Sequence, residues 1–162
     1  MHLFLYSIWI GILATAVMDF IAWLRATFFN TKSLNYALIG RWILSFKDGR
    51  WVHNTILTTS PKYGETWFGW AVHYLIGILF SYVYLQLNLY FAFQYTILNI
   101  LGFASLTTLI PFLMMQPALG FGFFACKTPK PLNSILNSLI AHLAFGFGLY
   151  IAVSCLVFIY RS

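Results

Sequence analysis

Charge is what this sequence has least of. Lys, Arg, Asp and Glu together make up 7% of its 162 residues, where a soluble domain carries roughly 25%. So few charges cannot cover a surface that faces water, which excludes an ordinary soluble domain and leaves most of the surface to lipid. Acids are scarcest: Asp19, Asp48 and Glu65 stand against nine Lys and Arg. Cysteine is also sparse. Cys126 and Cys155 form no metal-ligand spacing, and the topology derived below puts them on opposite sides of a bilayer, where they cannot form a disulfide. There is no His-Glu-x-x-His, no Gly-x-Ser-x-Gly and no Gly-rich phosphate loop. No cofactor or catalytic residue is therefore identifiable, and the choice between enzyme and non-enzyme stays open, leaning against an enzyme.

What is abundant is apolar. Hydrophobic residues reach 61% and aromatics 20%, with a mean hydropathy of +0.82. The first apolar run, residues 3–24, is broken only by Asp19 and matches the roughly 20 residues needed to cross a hydrocarbon core. It has no basic stretch before it and is too long for a signal peptide, so it is expected to be a retained helix. From Thr66 to Cys126 there is no Lys, Arg, Asp or Glu. That length predicts two spans, about 66–87 and 95–115, with a turn marked by Gln86, Asn88 and Gln94. Pro117 is expected to stop the third helix. Pro129 and Pro131 precede a fourth, about 133–158. The fold class is an all-α membrane protein with four transmembrane helices in a single domain, 1–162, with a long loop 25–65 between helices one and two.

Orientation follows from the basic residues. Arg25, Lys32, Arg41, Lys47, Arg50 and Lys62 follow helix one, and Lys127 and Lys130 follow helix three, leaving only Arg161 for the other side. This bias predicts both basic loops in the cytoplasm and both termini on the non-cytoplasmic side. The expected partners are the bilayer and its anionic headgroups, not nucleic acid. Within the first loop, Ser33 is a candidate cap for a helix to about Phe46. That helix would lie in the interface with Arg41 and Lys47 near lipid phosphates.

A repeat is suggested by two stripes at every fourth residue. One is Glu65, Gly69, His73, Gly77, Ser81 and the other Ser134, Ser138, His142, Gly146, Tyr150, offset by 69 throughout. Spacing of four puts such residues on one helix face, and small residues there allow close helix packing in lipid. Gly69, Gly77 and Gly146 are the packing candidates. With Met18-Asp19 and Met115-Gln116 as a weaker second pair, this predicts a parallel repeat of two helical hairpins.

The candidate site is polar. Counting about 1.5 Å per residue, Asp19 lies roughly 9 Å and His73 about 12 Å inside the cytoplasmic end, with His142 at similar depth. Ionisable groups in a span are costly unless paired, so these three are expected to share one level inside the bundle. Glu65, Gln116 and Arg41 would form its mouth. A carboxylate beside imidazole suits a proton relay or a metal-ligand set. The leading expectation is a bundle handling a small solute, metal ion or protons, as a homo-oligomer because four helices are few for alternating access. Its rivals are an enzyme acting on a lipid-linked substrate, with Arg41 and Lys127 on a phosphate, and an assembly subunit whose polar residues serve helix contacts.

Several blocks resemble a known family. They are Gly40-Arg41-Trp42, Gly64-Glu65, Gly69-Trp70-x-x-His73-Tyr74-x-x-Gly77, Met115-Gln116-Pro117-x-x-Gly120-x-Gly122, Lys127-Thr128-Pro129 and His142-x-x-Phe145-Gly146-x-Gly148-x-Tyr150. Together they resemble domain of unknown function 2938, a family of small bacterial inner-membrane proteins. The resemblance implies four helices in a bacterial inner membrane and brings no activity, cofactor or partner.

Overall fold

The computed structural model describes residues 2–31, 34–92 and 94–161. Among these residues the chain forms helices and turns without strands. The α-helices are α1 His2–Phe29, α2 Tyr36–Leu44, α3 Glu65–Phe91, α4 Ile97–Thr107, α5 Gln116–Ala118 and α6 Pro131–Arg161, with a π-helical turn over Pro111–Met115 between α4 and α5. Four stretches are long and apolar enough to cross a membrane: Leu3–Phe29, Glu65–Phe91, Ile97–Ala118 and Pro131–Phe158. Only 28–39% of their most apolar windows is buried within the protein. The remaining apolar surface points outward, as lipid-facing surface does, and the chain has the helices of a multi-pass membrane protein.

The helix ends differ from the sequence expectation for local reasons. Helix α1 continues past Leu24 and ends at Asn30, whose φ of +50° is left-handed backbone that Asn tolerates. Helix α3 runs through Gln86 and Asn88, which do not form the turn. The Gln86 amide donates to the Tyr82 hydroxyl at 2.7 Å and that of Asn88 to the Tyr84 carbonyl at 3.3 Å, so both amide nitrogens bond within the helix. Pro117 does not stop the third span. It sits at the start of α5, where a proline's missing N–H is tolerated. Pro111, which lacks a donor N–H, opens the π turn, and the Gln116 N–H reaches back five residues to the Pro111 carbonyl. The stop is Gly120, at φ +85°. Its N–H bonds the Pro117 carbonyl at 3.0 Å and the Phe121 N–H bonds that of Gln116 at 2.8 Å, the paired closure of a Schellman motif. Helix α2 is capped by Asn35, whose side chain accepts from the Ala37 N–H at 3.0 Å. Ser33, the cap predicted from sequence, lies outside the described residues, as does Lys32.

The chain divides into two compact units. The first comprises Met1–Lys32, Tyr74–Thr107 and Ile140–Ser162, and the second Ser33–His73 and Thr108–Leu139. The first has a core of Ile10, Ala14, Tyr84, Leu85, Ile100, Phe145 and Leu149. Glycines set its helix spacing. A Cβ on Gly148 would lie 2.8 Å from Ala14 Cα, and one on Gly146 2.6 Å from Ala104 Cβ, while one on Gly77 would run into the Thr15 hydroxyl. The Ser81 hydroxyl donates to the Ser7 carbonyl at 2.6 Å, joining α3 to α1. The second unit buries Ile39, Ile56, Phe112, Leu119 and Ala125.

Candidate functional site

In the second unit the site is built on a crossing of two glycines. Gly40 of α2 lies against the Glu65 carbonyl and Gly69 of α3 against that of Tyr36, approaches that leave no room for a Cβ on either. This brings Arg41 and Glu65 together. The Arg41 guanidinium holds the carboxylate in a fork, Nε to Oε2 at 2.9 Å and Nη2 to Oε1 at 2.7 Å. Its Nη1 donates to the carbonyls of Thr59 at 2.8 Å and Ile56 at 3.2 Å. Glu65 also accepts the Lys62 N–H at 2.7 Å. Arg41 is therefore turned inward as a clasp on the loop and not outward to lipid phosphates. Its hydrogen bonds to Glu65 raise its already high pKa further.

The same loop is pinned to the end of the third span. The His53 N–H bonds the Ala118 carbonyl and the Ile56 N–H bonds that of Leu119, both at 2.9 Å. Gly120 packs on the carbonyls of His53 and Asn54. His53 is buried, with its Nδ1 3.0 Å from the Thr59 hydroxyl. Its Nε2 and the buried Gln116 Oε1 have no hydrogen-bond partner among the described residues. Burial holds the His53 ring below its ordinary pKa, and the positive charges of Arg50 and Lys62 push the same way. Asp48 pairs with Lys62, whose hydrogen bond keeps the carboxylate below the usual range. His73 is buried, its ring stacked on Tyr36 at 3.9 Å and edge-on to Trp70 at 5.8 Å.

In the first unit the polar groups of the spans meet hydroxyls. Asp19 of α1 lies near enough to the Tyr74 hydroxyl of α3 to interact with it electrostatically. His142 Nδ1 of α6 lies 2.7 Å from Thr107 Oγ1 of α4, and that hydroxyl donates its hydrogen to the Ala104 carbonyl at 2.7 Å. The ring nitrogen is then the donor to Thr107.

Of the residues singled out from sequence, the structure joins Arg41 to Glu65. Asp19 and His142 fall in the first unit with Tyr74 and Thr107, and His73, Gln116, Arg41 and Glu65 fall in the second. Within either unit, no three His, Cys, Asp or Glu side chains among the described residues stand close enough to hold a metal ion. Sequence reasoning missed Tyr74, Thr107 and Thr59. A hydroxyl residue in an apolar helix carries no spacing signal that separates it from its neighbours, and Thr59 acts through its backbone carbonyl as well as its hydroxyl.

Neither a curated protein nor a solved structure matches the chain. One family model does, over residues 8–157, with the description "Protein of unknown function (DUF2938)". The Gly40-Arg41-Trp42, Gly69 to Gly77, Met115 to Gly122 and His142 to Tyr150 blocks all lie inside that match. Because the match spans nearly the whole sequence, the chain belongs to the DUF2938 family.

Proposed function

We propose that this membrane protein handles protons, alone or coupled to a small polar solute, at the polar groups of its spans. The observation that carries the reading is the approach of the Asp19 carboxyl to the Tyr74 hydroxyl between two membrane-length helices. A carboxylate in an apolar span is costly as an isolated charge, and a phenolic hydroxyl lets it be held in either protonation state. The His142–Thr107 pair is a second such group on the other two spans. The metal-ion reading gains no support from the ligand sets, and the lipid-enzyme reading would need Arg41 to face a phosphate. The proposal includes a bacterial inner membrane, both basic loops in the cytoplasm, the site in the cytoplasmic half, and a homo-oligomer.

The test is to titrate purified protein in lipid and follow the carboxyl region by infrared spectroscopy. On acidification the protonated-carboxyl band of the parent should contain a component that is missing from Asp19→Asn, and Tyr74→Phe should shift the midpoint of that component. In liposomes with an imposed pH gradient, the parent should collapse the gradient faster than Asp19→Asn at equal folded amounts. A titration in which parent and Asp19→Asn have the same carboxyl spectrum, or equal proton leak from the two, would overturn the proposal.

A further inference from the structure

We propose that the loop between the first two spans carries an anionic-lipid binding patch formed by Lys47, Arg50, Trp51, Val52 and Leu57. This is independent of the proton-handling reading, and it replaces the expectation that Arg41 reaches the headgroups.

The loop is held rigidly with apolar side chains outward. Ile56 is fully buried and His53 nearly so, and both are fixed through their N–H groups to the end of the third span. Their chain neighbours point the other way: Val52 is 72% and Leu57 65% exposed. Trp51 is 61% exposed although two contacts fix it, its carbonyl accepting the Trp42 indole N–H at 2.8 Å and its ring stacking on Phe46 at 4.3 Å. A fixed apolar patch is expensive in water and marks a surface that something covers. The loop follows directly on one membrane-length helix and leads into the next, so the nearest cover is the bilayer surface, where Trp is favoured.

The charge pattern selects the lipid. The one acid of this loop, Asp48, is taken by Lys62. Among the described residues of this loop Lys47 and Arg50 then remain as exposed positive charges just before the apolar group in the chain. Cations beside an interfacial Trp and aliphatic side chains fit an anionic headgroup with its acyl chain, and fit a zwitterionic one less well.

The test places a nitroxide at Val52→Cys or Leu57→Cys in a Cys126→Ser, Cys155→Ser background. The protein is studied in bilayers of phosphatidylcholine with and without phosphatidylglycerol. Both labels should be more accessible to oxygen than to a water-soluble nickel chelate, and deeper when phosphatidylglycerol is present. Native mass spectrometry from the mixed bilayer should show phosphatidylglycerol retained over phosphatidylcholine. Lys47→Gln with Arg50→Gln, both on the surface, should reduce that preference about thirtyfold. Labels open to the nickel chelate would show a solvated loop and overturn the proposal. Labels shielded from both reagents would show a protein contact and overturn it equally. An unchanged lipid preference in the double variant would overturn the assignment to anionic lipid.

Discussion

Arg41 gives the second unit a fixed loop through one side chain. Its fork meets Glu65, its third nitrogen meets two loop carbonyls, and the pair is nearly buried, at 11% and 12% side-chain exposure. Removing one partner of such a pair leaves the other charge in a poor environment. Glu65→Gln or Arg41→Ala should cost about 3 kcal/mol, read as a lower melting midpoint in detergent. Arg41→Lys should recover little of it, because an ammonium keeps the charge but not the fork. A melting midpoint unchanged in Arg41→Lys would show that charge alone suffices. His53 adds a pH dependence. Its folded pKa is lowered from an ordinary 6.5 by burial and nearby cations, so below that value the unfolded chain binds the proton first. The stability of the neutral ring is complete above the unfolded value and is lost as pH falls through the folded one. Melting midpoints should decline between about pH 7.5 and pH 5, with a smaller decline in His53→Gln. Equal slopes in the two proteins would remove His53 from the account.

At the scale of elements, glycine decides which helices approach. Gly77 and Gly146, four residues after His73 and His142, each face the preceding span, Gly77 at Thr15 and Gly146 at Ala104. This supports a repeat of two hairpins, which we retain as a proposal. Gly77→Leu and Gly146→Leu should each abolish recovery of monodisperse folded protein, by overlap with helix atoms. Gly102 of α4 is the contrast, since a Cβ there meets nothing within 4 Å. Gly102→Ala should be tolerated and should stabilise the helix by about 0.5–1 kcal/mol. Size-exclusion profiles of the three variants decide the point, and a well-behaved Gly146→Leu would contradict the packing. The number and order of long helices were legible in the sequence because apolar length is a strong signal. Their ends were not. Asn88 reads as a turn residue but lies inside α3, where its amide nitrogen bonds the Tyr84 carbonyl, and Pro117 reads as a stop but sits at the start of α5. The glycines of the stripes were visible by their spacing, whereas which helices Gly11 and Gly148 approach, α3 and α1 respectively, needed the fold. The pairing of Arg41 with Glu65, 24 residues apart, needed the fold.

At the scale of the molecule, the central claim is four crossings with both basic loops on one side. The structure supports one part of this within the second unit, where the loop at His53–Ile56 is bonded to the end of the third span at Ala118–Leu119. Four spans would then return both termini to the opposite side, and because eight of nine basic residues fall in these two loops we propose that the loops are cytoplasmic. Both the candidate site and the lipid patch inherit their side of the membrane from this arrangement. Fusions to a reporter enzyme active only outside the cytoplasm test it directly. Junctions at Gly49 and at Lys127 should be silent, and junctions near Asn88 and after Ser162 should be active. The reverse pattern, or activity that differs between Gly49 and Lys127, would contradict the account.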